Sequence, residues 1–310
     1  VSIRPLALAL ALVLLLAAGL AGCGLGAGER ETEARIVVTR DFGHHELGAH
    51  VVDSLPASET VMRLLQREFD VDTRFGGGFV QSIEGVEGGR EDGRPLDWFF
   101  YLNGIWSDEG AAEVELHDGD HVWWDHHDWG ASPELSAPVG AYPEPFLHGA
   151  EGKRYPVVLE CADDVEAACE TVSERLVADG ARPSRQLPGT GTGVETLRVV
   201  VGIWRQLRGD PALSQVDRGP GVSGVFARFD EDGDTLALLD ARGDEVRTLG
   251  AGAGLVAATR FELQAPTWMV TGTDSAGVEA AAEALDEQRL RRRFALAVGS
   301  SGDIALPLVR

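Results

Sequence analysis

Lysine is almost missing from this chain: Lys153 is the single one, and every other basic residue is arginine. A Walker-type phosphate loop needs a lysine after its glycines, and none is present, so P-loop nucleotide hydrolysis is excluded. Positive charge is scarce altogether. There are 27 basic residues against 50 acidic ones, a formal net charge of −23. Such a surface repels phosphate backbones and anionic lipid, which rules out nucleic acid as a partner. The acidity reads as solvation at a crowded cell surface. No GxSxG elbow and no ordered Ser-His-Asp pattern occurs. All eight histidines lie before residue 150, and Cys161 and Cys169 have no histidine near them in sequence, so cysteine nucleophilic catalysis has no support. The expectation is a protein that is not an enzyme.

Long apolar runs are equally rare. One spans residues 6–18 and leads into Leu20-Ala21-Gly22-Cys23. Small residues ahead of a cysteine at the end of an apolar stretch resemble a bacterial lipobox. Residues 1–22 then read as a lipoprotein signal peptide, Cys23 as the lipidated residue, and 23–34 as a tether. A lipid anchor would place the protein on the extracellular face of the cell membrane.

What the chain has in abundance is concentrated between Asp97 and Trp129. Five of the seven tryptophans fall there: Trp98, Trp106, Trp123, Trp124 and Trp129. Asn103-Gly104 between apolar runs is a strong hairpin signal, because both residues tolerate positive φ. Asp118-Gly119-Asp120 is a second turn, and the alternation after it predicts a strand with one aromatic and one mixed face.

Four stretches in order carry a resemblance: Ser58 to Leu65, Phe79 to Gly85, Trp98 to Gly104, and Leu116 to Asp120. Together they resemble the transcobalamin-like C-terminal domain, a β-grasp module of bacterial surface proteins, over roughly residues 35–130. The resemblance implies a β-grasp fold and a ligand such as a corrinoid or another micronutrient, passed to a membrane transporter. The readings set beside it are a structural or interaction protein of the envelope and a metal-dependent hydrolase.

The rest of the chain organises around that module. The fold class expected is α+β, an N-terminal β-grasp-like domain (35–130) followed by a mixed α/β domain (156–310). Prolines 133, 138, 143, 145 and 156 mark 131–155 as an extended linker. Ser58 is the expected N-cap of a helix carrying Val61, Leu64, Leu65 and Phe69 inward. Val165–Glu170 and Val278–Glu283 repeat a similar helical pattern after a strand, and Asp274 suits a helix cap. Cys161 ends a strand and Cys169 sits on the inward stripe of the next helix, so an exported chain would join them in a disulfide.

Two sets of site residues follow. Tyr101, Asn103, Trp106, Trp123 and Trp129 are the candidate ligand-binding residues, with the Asn103-Gly104 hairpin projecting and Trp123 more exposed than Trp124, because exposed aromatics stack on flat ligands and anchor partners. His44, His45, His126 and His127 are the candidate metal ligands: parallel pairing of first and last strands would bring both pairs to one end of the sheet, where imidazole suits Zn²⁺, Ni²⁺ or Co²⁺. Arg289 with Arg291 to Arg293 follows a helix, where cations complement its dipole.

Overall fold

A computed structural model describes residues 29–30, 33–132, 137–190 and 192–309. The expected signal peptide and Cys23 lie outside the described residues. Among those described, no helix is long and apolar enough to cross a membrane.

The first sheet is built from β1 (Ala34–Arg40), β2 (His45–Val52), β3 (Gly89–Glu91), β4 (Arg94–Leu102), β5 (Ile105–Trp106) and β6 (His121–Asp128). Its order is β5-β4-β6-β1-β2, with β3 also paired to β4. First strand and last strand pair in parallel at the centre, Trp123 opposite Val37, and β6 runs antiparallel to β4. Helix α1 (Val61–Glu68) covers one face, the β-grasp arrangement. Its N-cap is Thr60, whose hydroxyl accepts from the Arg63 amide at 3.3 Å, two residues beyond the Ser58 expected from sequence. Ser58 instead gives its carbonyl to the Arg63 guanidinium.

Period two divides each strand between two cores. Ile36, Val38, Phe100, Leu102, Val122 and Trp124 turn toward α1 and pack with Val61, Leu64 and Leu65. Val37, Tyr101 and Trp123 turn the other way, into a core they share with the second half of the chain.

That second half is a seven-stranded sheet of β7 (Val157–Cys161), β8 (Ser184–Gln186), β9 (Leu197–Ile203), β13 (Gly254–Thr259), β14 (Thr267–Gly272), β15 (Ala295–Gly299) and β16 (Gly302–Leu306). The order is β8-β7-β9-β14-β13-β15-β16. Strands β8, β7, β9 and β14 are parallel, and the remainder antiparallel. Helices α2 (Glu166–Ala178) and α3 (Ser275–Glu283) follow β7 and β14 and lie on the same core, so the two similar segments do form two strand–helix units. Asp274 caps α3 through the Gly277 amide at 2.9 Å. A small sheet of β10 (Ala227–Phe229), β11 (Leu236–Leu239) and β12 (Glu245–Leu249) contributes to the shared core.

The layers are therefore α1, the β-grasp sheet, the shared core, the seven-stranded sheet, and α2 with α3. The proline-rich segment is packed as well. Tyr142 and Phe146 bury their rings against Trp268, centroids 6.0 and 4.9 Å away. Cys161 and Cys169 are joined in a disulfide, Cα atoms 6.0 Å apart, which ties α2 to the end of β7.

Trp123→Ala should test the shared core. Cutting a fully buried tryptophan out of a packed interior costs about 3–5 kcal/mol. Urea unfolding followed by fluorescence and by far-UV circular dichroism should show one common transition, moved to lower denaturant. Two separated transitions would mean the two sheets do not share a core. A maleimide should leave Cys161 and Cys169 unlabelled in the unreduced, denatured protein.

Candidate functional site

The face of the β-grasp sheet opposite α1 carries, along β6, His121, Trp123, Asp125 and His127, with Arg35, Val37 and Thr39 beside them on β1. Each stretch of this face does something different.

The middle is an interface. Trp123 is fully buried and Trp124 nearly so, against the expectation that Trp123 would be the more exposed of the two. Its ring lies 4.9 Å from Phe294, and Tyr101 lies 5.6 Å from the same ring. A sheet face rich in aromatics is too apolar to leave in water, and here the second sheet covers it. A tryptophan buries roughly 200 Å², about 5 kcal/mol of gross transfer free energy, which favours the closed arrangement.

One end is a buried polar network. Asp125 has no exposed surface. Its Oδ1 accepts from the Phe42 amide at 3.0 Å and from His127 Nδ1 at 2.8 Å. Its Oδ2 accepts from the Gly43 amide at 2.8 Å and from the Thr39 hydroxyl, and Thr39 in turn accepts from Trp123 Nε1 at 2.7 Å. Asp41, Phe42 and Gly43 all have positive φ, so successive amides converge on the carboxylate as a nest. His127 is stacked between Phe42 and Phe99, centroids 4.6 Å from each.

Parallel pairing does bring the two histidine pairs to one end of the sheet, yet each histidine has other partners. His44 Nε2 meets the Pro307 carbonyl at 3.1 Å, His45 faces Asp41, and His126 Nε2 meets the Glu87 carbonyl at 3.1 Å. Among the described residues, no group of three or more His, Cys, Asp or Glu is placed to hold a metal ion.

Nor does the Asn103-Gly104 hairpin project. Asn103 is fully buried. Its Nδ2 donates to Asp120 Oδ1 at 2.8 Å and to the Gly149 carbonyl at 2.9 Å, and its Oδ1 accepts from the His121 amide at 2.7 Å. The positive φ that signals a turn also aims this amide at the neighbouring turn and the linker. Trp106 is half-buried, its carbonyl accepting from Arg260 at 3.1 Å. Trp129, 38% exposed, is the most accessible of the five residues named from sequence.

The other end of the face is open. Beneath β1 and β2 the second domain falls away and leaves a cleft of about 700 Å³. Ala49, Val51, Pro143 and Leu147 supply apolar wall, and Arg35, His121, His148 and Arg291 are among its polar groups. The linker forms one side. His148 is paired with Glu144 through Nδ1, and its amide donates to the same carboxylate at 3.0 Å. Its ring lies so close over Gly119 that a Cβ there would meet it at 2.3 Å. Burial pushes the Glu144 and Asp120 carboxyls up. Burial and the nearby Arg35 charge push the His121 imidazole down to about 4, so at neutral pH it presents an uncharged ring. Of the five candidate ligand-binding residues, Tyr101, Asn103 and Trp123 are buried, and none of the five lines this cleft. The strand alternation already put His121 on the same face as Trp123, one step nearer the sheet's end; it could not show that this end of the face stays open.

The fold and site define a protein of two fused layers with a binding-sized cleft at the edge of their contact. Residues 58–128 match a domain of unknown function (DUF4430); the match begins after β1 and β2. One solved structure to which the chain is similar comes from Ruminococcus gnavus ATCC 29149 and is described as a "putative metal binding protein". It is 15% identical, covers 32% of this chain and 98% of its own, and has a TM-score of 0.25. No curated protein matches the chain.

Two measurements probe the site's geometry. Asp125→Ala strands several buried donors at once and should cost about 3 kcal/mol or more, seen as a lowered denaturation midpoint. His121 should stay neutral down to about pH 4 in the folded protein. Because its folded pKa lies below the unfolded value of 6.5, the native state binds fewer protons in that window. The stability it contributes is complete above pH 6.5 and is lost as pH falls through about 4. NMR titration of the ring should give that low value, and His121→Gln should flatten the acid limb of the stability profile.

Proposed function

We propose that this is a non-enzymatic, lipid-anchored protein of the extracellular face of the membrane that binds a small molecule in the cleft beneath β1 and β2. The cleft is the observation that carries the reading: its volume of about 700 Å³ lies in the range of small-molecule sites, and it combines apolar wall with a few convergent polar groups. The resemblance to the transcobalamin-like family supports a micronutrient ligand, with a corrinoid as the first to try and a membrane transporter as the recipient. The buried state of Tyr101, Asn103 and Trp123 supports a structural role for the aromatic face, so binding is assigned to the cleft alone.

The test is to incubate the purified protein with native extracts, wash, and identify retained small molecules by mass spectrometry. Ala49→Trp serves as the control, because Ala49 is an exposed residue of the cleft wall and an indole there fills the space without touching either core. A species retained by the parent and lost in Ala49→Trp is the expected result. Retention that is identical in both, or absent from both, rejects the cleft as the site. A retained corrinoid would also colour the protein, so a colourless complex rejects that ligand.

A further inference from the structure

The arginine run after α3 is not explained by a helix dipole. A short helix, Glu287–Leu290, ends just before it, and the chain then turns sharply: Arg292 has φ +58°, a left-handed conformation uncommon for a residue other than glycine. The turn is wedged between two glycines from elsewhere in the chain. A Cβ on Gly43 would lie 2.1 Å from the Arg292 carbonyl, and one on Gly140 would lie 2.5 Å from the Arg293 amide. The Arg292 amide donates to the Gly140 carbonyl at 3.2 Å. The β-grasp turn, the linker and the second domain thus meet around this corner, and the corner delivers Arg291 and Arg292 to the cleft.

The charges there are unevenly matched. Arg35 is held by Glu33 and Glu287. Glu144 is taken by His148, and Asp118 accepts from the Glu33 amide at 3.0 Å. Arg292 reaches Glu46 with one nitrogen, while its Nε is buried without an acceptor. Among the described residues Arg291 has no side-chain partner for its guanidinium. Each carboxylate of the cleft thus has a partner, and the Arg291 guanidinium is left without one.

We infer that the cleft takes a ligand with an oxyanion group, carboxylate or phosphate, on an apolar body, the oxyanion meeting Arg291 and the body lying along Ala49, Val51 and Leu147. This rests on the cleft being the binding site. A guanidinium offers two parallel N–H donors that fit either oxyanion. The neutral His121 ring adds no further positive charge, so selection of the anion falls to Arg291. Against a protein of net charge −23, such an unpaired local cation is what would let an anion approach at all.

The experiment is calorimetric titration of the purified protein with three probes of equal chain length: octanoate, octyl phosphate and octanol. Octanoate or octyl phosphate should bind at least about tenfold more tightly than octanol, the scale expected of a charge-assisted pair; which of the two binds identifies carboxylate or phosphate. Arg291→Gln should bring the anion down to the level of octanol, and Arg291→Lys should keep part of the preference. Arg291 is exposed and holds no core together, so both variants should fold. Equal binding of octanol, or an Arg291→Gln protein that binds the anion unchanged, overturns the inference while leaving the cleft as a site. Binding of none of the three also overturns it, and the cleft is then judged by the extract experiment with Ala49→Trp alone.

Discussion

The burial of the β-grasp sheet on both faces governs the rest of this molecule. One face is closed by α1, whose hydrophobic stripe belongs to the same N-terminal half of the chain as the strands it covers. The other face is closed by a sheet more than a hundred residues away in sequence, through Val37, Tyr101 and Trp123 against Phe226, Phe294 and the residues around them. Each large ring removed from water there contributes several kcal/mol of gross transfer free energy, about 25 cal/mol per Å². The linker follows from that closure. Its aromatic residues are clamped against Trp268, and Asn103, Gly149 and the Asp118–Asp120 turn are bonded into one corner. The two units predicted as separate domains form one continuous packing arrangement.

Closure of the middle also creates the site. The second half of the chain covers Tyr101 on β4, Trp123 on β6 and Val37 on β1 and leaves a cleft along β1 and β2. A face that would otherwise be one apolar surface is divided into a sealed network around Asp125, a sealed aromatic contact, and an open cleft. The Asp125 carboxylate in the sealed network is fully partnered, as burial demands, while the Tyr101 hydroxyl in the aromatic contact is buried without a hydrogen-bond partner. In the cleft, the unpaired Arg291 guanidinium is where a ligand's chemistry would be felt. The arginine corner depends on the same closure, because Gly43 and Gly140 must both lie against it for the turn at Arg292 to exist.

Much of the architecture was legible in the order of residues, and some of the site was not. Strand alternation, the Asn103-Gly104 and Asp118-Gly119 turns, the helix over Val61–Glu68, the Asp274 cap and the pairing of Cys161 with Cys169 are local or nearly local properties. They depend on φ preferences, period and a short closing loop, which neighbours along the chain decide. Parallel pairing of first and last strands was legible through resemblance, and it does bring His44 and His126 to one end. Whether two imidazoles share a ligand is a matter of ångströms, and the carbonyls of Pro307 and Glu87 took those rings first.

By itself, then, the sequence determined which segments are strands and helices, where the chain turns, and that one sheet face would be aromatic. Exposure was another matter. An aromatic face signals that something must cover it, and sequence cannot say whether that cover is a ligand, a partner or the same chain folded back, since all three satisfy the same hydrophobic demand. Only the tertiary structure decided that Phe294 covers Trp123, that Asn103 is a buried hinge of hydrogen bonds, and that the open part of the face falls at His121 and Arg35. The physical reason is that burial is a property of pairs of surfaces, fixed by how two distant sheets fit, while periodicity is a property of one strand.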